Sequence, residues 1–417
     1  MNLSIGDPIF FGRISTTRPF EQFIAANDLY EKASPEGKFY LNVKKKLSGL
    51  TLQSRYGEWS NLFPVQTMPG LVMPEYDPIF SKTFEEVTDQ RALDVKKILN
   101  ETDRNVILYY SGGFDSTICL VALMRNLTEA ELKRIHLGMS LHSVIESPQF
   151  FKQFIAGKFK IIDTTNGNTR YNDVIDQGNY LITADNGDCL FGTEAATQLY
   201  YSYEHIANKL NYGSLTKLNQ LMNRVSDAAM HYSNYSDIII GYYDLDDVRG
   251  FGQELYERLD RNIKSSQIPV QSLHDFFWWF IFNPKCVHCY TRGSLIFGDY
   301  TNYQESFEKF VINWYQTDDY QRWSMVNNNN GQKIMGVTAN TYKWAARKYI
   351  YDFTKDDWYL NFKLKIKSLH RLKPRGNERH NVDNIENRFA IDTNYNLVSL
   401  NDPGVKEYIE HYLTRSN

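Results

Sequence analysis

The chain has 417 residues, and its 46 basic and 49 acidic side chains leave a formal net charge of -3. This balance excludes a global attraction to nucleic acid or anionic membranes, and the sequence shows neither a run of about 18 uncharged apolar residues nor a signal core. The 4 cysteines are too few to stabilise a chain of this length by disulfides, so they indicate thiols of a reducing compartment. We therefore expect a cytoplasmic protein without a membrane partner.

The first 82 residues alternate short apolar runs with Gly and Pro, which predicts a small N-terminal α+β domain (1–82) of unknown role. A capping box of Thr83 and Glu86 then precedes a helical apolar pattern, so the main domain is placed at 83–370. The remaining segment, 371–417, is predicted to hold a hairpin and a final helix that begins at Asp402 and Pro403.

Strand and helix patterns alternate through the first part of the main domain. Residues 105–110 form an uninterrupted apolar run, typical of a strand buried on both faces of a parallel sheet, and an almost entirely apolar helix follows. The further predicted elements are strands at 135–141, 159–163 and 180–185 and helices at 128–134 and 147–155. This order predicts an α/β fold with a doubly wound, mostly parallel sheet, followed beyond about residue 195 by a helical half.

The turn after the first strand is rich in glycine and hydroxyl side chains. Gly112 and Gly113 would let the main chain approach a phosphate, and the start of the following helix adds backbone N–H donors. Hydroxyl donors would come from Ser111, Ser116 and Thr117. The pattern is not a Walker A motif because no Gly-Lys-Ser/Thr follows, and an ordinary strand-to-helix turn is the alternative.

Residues 111–116, SGGFDS, resemble the Ser-Gly-Gly-x-Asp-Ser signature of the PP-loop ATP pyrophosphatases, which split ATP into AMP and pyrophosphate. The resemblance implies an adenine nucleotide alpha hydrolase-like fold in which residues 111–117, Phe114 included, contact ATP. It also implies that Asp115 holds Mg²⁺. The chemistry agrees, because a carboxylate beside a polyphosphate needs a divalent cation between them.

Residues 183–192, TADNGDCLFG, resemble the Gly-Asp/Glu-Gly-x-Asp-Glu-Leu-Phe-Gly-Gly stretch of asparagine synthetases and the related β-lactam synthetase. The resemblance implies that Asp188 is the second magnesium ligand beside Asp115, and that Gly187 joins the nucleotide-binding residues. Cys189 and Thr193 depart from the family's Glu and Gly. A plain Asn-Gly turn after a strand is the alternative.

Residues 343–365 are similar to the family's Leu-Arg-Lys helix and the Arg-x-Lys segment that follows it. Arg347 and Lys348 fall on the helix pair, and Lys363 falls on the lysine that stabilises charge on the adenylated intermediate. Asn361 replaces the family's arginine. A solvated strand face, on which lysines alternate, explains this pattern equally well.

The resemblance breaks at two further places. Tyr290 stands where the family has the glutamate that helps to deprotonate the amine, and a tyrosine serves as a base only with a lowered pKa. Full asparagine synthetases carry a glutaminase domain with a cysteine directly after the initiator Met, whereas this chain has Asn2. We therefore expect no release of ammonia from glutamine.

Two local patterns invite other interpretations. Cys286, His288 and Cys289 would supply at most three of the four ligands that Zn²⁺ requires, so core thiols are the alternative. The basic run 363–380 would suit a lid or a phosphate-bearing or nucleic-acid substrate, with a solvated linker as the alternative.

Together the motifs predict a ligase that uses ATP and Mg²⁺ to adenylate a small-molecule or peptide carboxylate and passes the acyl group to an amine or ammonia. Two alternatives stay open. One is a PP-loop enzyme that modifies a nucleobase or tRNA, and the other is a non-catalytic ATP-binding scaffold protein.

Overall fold

The structure is a computed structural model, and it describes residues 26, 28–35, 38, 55, 73–164, 174–175, 177–191, 231–236, 251–286, 309–327, 343–361, 363, 389–391 and 397–399. The chain divides into two compact units, each built from separate segments. The sheet unit comprises 82–184, 297–314 and 345–417, and the helical unit comprises 1–81, 185–296 and 315–344.

A five-stranded parallel sheet is the centre of the sheet unit, which confirms the predicted α/β fold. The strands are β1 (Val106–Tyr109), β2 (Ile135–Met139), β3 (Lys160–Asp163), β4 (Tyr180–Thr183) and β5 (Val311–Asn313). Their order is β3-β2-β1-β4-β5, and every pair runs parallel. Strands β1 to β4 were predicted, but β5 was not, because its three residues are too few to show a pattern.

The helices connect the strands and build the helical unit. In chain order they are α1 (Leu29–Lys32), α2 (Phe84–Glu101), α3 (Phe114–Asn126), α4 (Glu129–Leu132), α5 (Leu141–Glu146), α6 (Pro148–Phe150), α7 (Gly187–Phe191), α8 (Phe251–Lys264), α9 (Leu273–Phe280), α10 (Asp318–Asn327), α11 (Trp344–Thr354) and α12 (Asp357–Asn361). Short π-helices at Phe151–Ile155 and Ile281–Lys285 continue α6 and α9, and a 3-10 turn spans Tyr232–Tyr235.

The core of the sheet unit lies between β1 and its helix, as the apolar runs predicted. The first three residues of β1 are buried, and α3 is buried from Ser116 to Leu123. Helix α3 packs against α2, which begins at the predicted capping box. There Thr83 Oγ1 accepts a hydrogen bond from Glu86 N at 3.2 Å, and Glu86 Oε2 accepts one from Thr83 N at 2.7 Å.

Helix α5 was not among the elements predicted from the sequence. The strand predicted at 135–141 ends at Met139, and α5 follows directly. Its capping box uses two serines, since Ser143 Oγ accepts a hydrogen bond from Ser140 N at 3.2 Å. The usual Glu or Gln three residues after the cap is missing, so the sequence signature of a helix start was not visible.

The remaining predicted elements fall partly outside the described residues. Strands β6 (Phe389–Ile391) and β7 (Leu397–Ser399) pair antiparallel within the segment where a hairpin was predicted, and the residues between them lie outside the described ranges. The final helix predicted from Asp402 lies outside the described residues. Among the helices that the structure describes, none is both long and apolar enough to cross a membrane.

Candidate nucleotide-binding site

The predicted phosphate loop follows the central strand of the sheet. Strand β1 lies between β2 and β4, where the chain crosses from one side of the sheet to the other. Open parallel sheets bind ligands outside the carboxyl ends of their strands at such a switch point. Ser111 begins the loop two residues after β1 ends, and α3 starts at Phe114. The strand, loop and helix predicted around the motif are therefore present.

The hydroxyl groups of the loop bond to the loop itself. Ser111 Oγ and Ser116 Oγ lie 3.1 Å apart, and Gly113 N donates to Ser111 Oγ at 3.3 Å. The Gly113 carbonyl accepts from Thr117 Oγ1 at 2.8 Å and from Ser116 Oγ at 3.2 Å. These bonds fix the shape of the turn. A direct contact of the same hydroxyls with phosphate stays a prediction.

Gly112 is required by the packing of helix α5. Its φ of +76° is in the left-handed region, and a Cβ there would lie 2.3 Å from the carbonyl oxygen of Ser143 and 2.8 Å from Glu146 Cβ. The sequence suggested that this glycine leaves room for a phosphate. The structure adds a second reason, the close contact of α5. Gly113 has an ordinary φ of -76° and caps α3.

Lys363 forms a buried ion pair in the same unit as the loop. Its Nζ lies 2.7 Å from Glu146 Oε1, and the two side chains are only 1% and 7% exposed. The ammonium also lies 5.9 Å from the centre of the Phe114 ring. Since Lys363 is buried, the solvated strand face considered from the sequence does not describe it. Lys365 and Lys367, the next two lysines of that alternating pattern, lie outside the described residues.

Arg347 and Lys348, the predicted helix pair, have different environments. Arg347 is fully buried. It donates hydrogen bonds to the carbonyl oxygens of Leu360 at 2.9 Å and Lys363 at 2.7 Å, and its guanidinium carbon lies 4.7 Å from the Phe114 ring centre. Lys348 is 56% exposed and pairs with Asp352 one helical turn away. Arg347 thus ties the main chain of Lys363 to the loop, whereas Lys348 faces solvent.

In the helical unit, Gly187 and Asp188 begin helix α7. Asp188 Oδ1 lies 2.6 Å from Lys343 Nζ, and the lysine side chain is 2% exposed. The same ammonium lies 5.5 Å from the centre of the Phe191 ring. Sequence reasoning missed Lys343, although it is the first residue of the segment aligned with the family. It also missed Glu146, which no sequence signal connects with a lysine 217 positions away.

The donor atoms that the structure presents are of the kind that Mg²⁺ binds. Asp115 lies in the first turn of α3 and Asp188 in that of α7. Next to Asp188 in sequence, Asn186 is 5% exposed, and its Oδ1 is buried without a hydrogen-bond partner. Carboxylate and amide oxygens fit magnesium chemistry. Within the described ranges no three His, Cys, Asp or Glu side chains gather as a metal cluster.

The cysteines that the structure describes are buried thiols. A hydrogen bond from Cys189 lowers the pKa of the Cys286 thiol to about 7, burial acts in the opposite direction, and the charge of Arg55 adds to the lowering. Cys189, the residue that replaces the family's glutamate, therefore contacts Cys286. His288, Cys289 and the proposed base Tyr290 lie outside the described residues, so the zinc alternative stays open.

Comparisons with known proteins identified no similar protein. No family model matches the chain, and neither the curated proteins nor the solved structures gave a match. The similarity to the PP-loop ATP pyrophosphatases thus rests on the motifs quoted from the sequence.

Proposed function

We propose that the chain is an ATP-dependent ligase of the PP-loop, asparagine synthetase-like class, which forms AMP and pyrophosphate. One observation carries the proposal. The loop 111–117 follows the central strand of a parallel sheet, and the buried Lys363 is held in the same unit by Glu146, a residue in contact with Gly112. A lysine beside an anion-binding loop suits the stabilisation of negative charge that develops during the reaction.

In the first step, the substrate carboxylate attacks the α-phosphorus of ATP in line and pyrophosphate leaves. Backbone N–H groups at the start of α3 and the loop hydroxyls would bind the phosphates. Asp115 and Asp188 would hold Mg²⁺, which supplies compensation for the charge on the leaving group.

In the second step, an amine or ammonia attacks the acyl-adenylate carbonyl and AMP leaves with the carbon–oxygen bond electrons. The ammonium of Lys363 would stabilise the negative charge on the tetrahedral carbonyl oxygen. Tyr290, which stands in place of the family's glutamate, would have to be ionised to take the proton from the amine. We also propose that the sheet belongs to the adenine nucleotide alpha hydrolase-like, PP-loop fold, and that the C-terminal half of the chain is helical.

The experiment incubates the chain with α-labelled ATP, Mg²⁺ and a panel of amino acids and other small carboxylates. Labelled AMP and released pyrophosphate are measured separately. We expect release that depends on one carboxylate and disappears in Asp115→Asn. Asp94→Asn is the matched control, because Asp94 pairs with Arg91 on helix α2 and should leave turnover unchanged. Release of ADP and phosphate instead, or full turnover in Asp115→Asn, would overturn the proposal.

A non-catalytic ATP-binding scaffold is the second candidate. The contact between Asp188 and Lys343 favours it, because a lysine already neutralises the carboxylate that would otherwise hold the metal. The departure at Cys189 points the same way. Tight binding of ATP without turnover on the whole carboxylate panel would support this function over the ligase. The third possibility, modification of a nucleobase or tRNA, predicts turnover that depends on added RNA.

A further inference from the structure

Glu146 is a buried acid to which the sequence motifs assign no role. It is the last residue of helix α5, and only 6% of its surface is exposed. Its Cβ and Cγ lie 2.8 Å and 3.2 Å from the point that a Cβ on Gly112 would occupy. The carboxylate therefore belongs to a side chain that packs directly on the phosphate loop.

A carboxylate in this place opposes the binding of an anion unless a positive charge compensates it. The compensating charge is Lys363, at 2.7 Å. Taking two charges out of water is costly, and loss of either partner removes an opposite charge at 2.7 Å from the other in a buried position. The pair as a whole is neutral, so its two members act on a polyphosphate with opposite sign.

Two contacts hold Lys363 in place from its two ends. Arg347 donates a hydrogen bond to the Lys363 carbonyl oxygen at 2.7 Å, which fixes the main chain. Glu146 binds the ammonium, which fixes the head of the side chain. Phe114 of the loop lies near both cations. The position of the ammonium thus depends on Glu146.

We propose that Glu146 is a positioning residue for Lys363. It holds the ammonium beside the phosphate loop and lowers the affinity of that site for the anionic tail of the nucleotide. The inference rests on the proposed function, because it takes the nucleotide to be the ligand of the loop. It adds Glu146 to the site, and it predicts that this residue lowers the affinity for the nucleotide; the motifs indicate neither.

The first test is a double-mutant cycle on Mg²⁺-ATP binding, measured by calorimetry on the full chain. Glu146→Gln removes the opposing charge and should tighten ATP binding about fivefold, whereas Lys363→Gln should weaken it about tenfold. The double variant should return to within about threefold of the wild-type affinity, because the charge near the loop is again neutral. Glu146→Asp keeps the charge and should bind ATP as the wild type does.

Asp352→Asn is the matched control for this cycle. It removes the acid partner of Lys348, which is exposed, and should leave ATP affinity unchanged. Equal weakening of ATP binding in Glu146→Gln and Lys363→Gln would overturn the inference, since Glu146 would then raise the affinity of the loop for the nucleotide rather than lower it.

The second test needs no nucleotide. Acetic anhydride acylates neutral amines, and mass spectrometry locates the modified lysines. Removing a nearby negative charge makes a buried ammonium give up its proton more readily, so acetic anhydride should acylate Lys363 several-fold faster in Glu146→Gln than in the wild type. Unchanged labelling of Lys363 would overturn the inference. If the wild type binds no ATP, the proposed function fails, and this labelling still decides whether Glu146 holds Lys363.

Discussion

The Nζ atom of Lys343 lies 2.6 Å from Oδ1 of Asp188, within the helical unit. Lys343 has a φ of +55°, a conformation that is uncommon for residues other than glycine. A buried ammonium is stable only with a partner that compensates its charge. The unusual backbone and the short ion pair together indicate that this lysine is held in one place by Asp188.

We predict that Lys343→Met lowers the free energy of unfolding by about 3 kcal/mol, because it leaves the Asp188 carboxylate without its ammonium. Adding Asp188→Asn to this variant should recover about half of the loss. Urea denaturation measures both. The control is Lys264→Met, whose ammonium lies 2.6 Å from Asp260 but is 71% exposed, so its loss should cost under about 0.5 kcal/mol. Equal costs for the two lysines would contradict the prediction.

The contact between Gly112 and helix α5 predicts a large effect of a single methyl group. Gly112→Ala combines a positive φ with a Cβ inside contact distance of the Ser143 carbonyl, so we expect a loss of about 3 kcal/mol in the free energy of unfolding. Gly157→Ala is the control, since Gly157 has a φ of +72° and no atom within 4 Å of the added Cβ. It should lose about 1 kcal/mol, measured by thermal or urea unfolding. A similar loss in both would show that α5 does not restrict Gly112.

Because the guanidinium of Arg347 is buried and the ammonium of Lys348 is exposed, replacing each should affect stability differently. Arg347→Met leaves the carbonyls of Leu360 and Lys363 without their donor, and we expect a loss of about 3 kcal/mol in unfolding free energy. Lys348→Met should change it by under about 0.5 kcal/mol, because its ion pair with Asp352 is exposed. If both substitutions prove neutral, Arg347 does not hold the segment that carries Lys363.

Local features of the fold were predictable from the sequence, and long-range contacts were not. The buried strand β1, the helix after it and the capping box at Thr83 follow from patterns within a few residues. Helix α5 was not predicted, because its capping box is made by serines and lacks the usual Glu or Gln. The partner of Lys363 could not be found, because nothing in the sequence selects Glu146 among 49 acidic residues.

The same limit applies to the candidate site. The motif placed residues 111–117 on a strand, a loop and a helix, and the structure has these elements. Which of Arg347 and Lys348 is buried depends on their neighbours in three dimensions, and the pattern treated them alike. The aromatic run 274–282 is an apolar pattern typical of a core, and its described apolar side chains are buried.

The contact of Cys286 with Cys189 predicts a pH dependence of stability. The pKa of Cys286 is lowered from 9.0 to about 7, so between these values the unfolded chain binds more protons than the folded one. The free energy of unfolding should therefore rise from pH 7 to pH 9, and the gain should be lost as the pH falls through 7. Urea denaturation across this range measures the rise.

Cys189→Ala removes the hydrogen bond and should abolish most of this rise. Cys119→Ala is the control, because Cys119 is a buried thiol whose Sγ donates to the Asp115 carbonyl in the sheet unit. It should lower stability at every pH and leave the rise intact. A rise that survives in Cys189→Ala would assign the pH dependence to other groups.

The central claim is that the loop 111–117 binds the phosphates of ATP. A crystal structure of the chain with Mg²⁺ and α,β-methylene-ATP, whose bridging carbon blocks cleavage, tests it most directly. We predict phosphate oxygens within about 3 Å of the backbone nitrogens at the start of helix α3, with the metal ion on Asp115. Nucleotide bound elsewhere in the chain, while the loop keeps the same conformation and contacts no phosphate, would contradict the account.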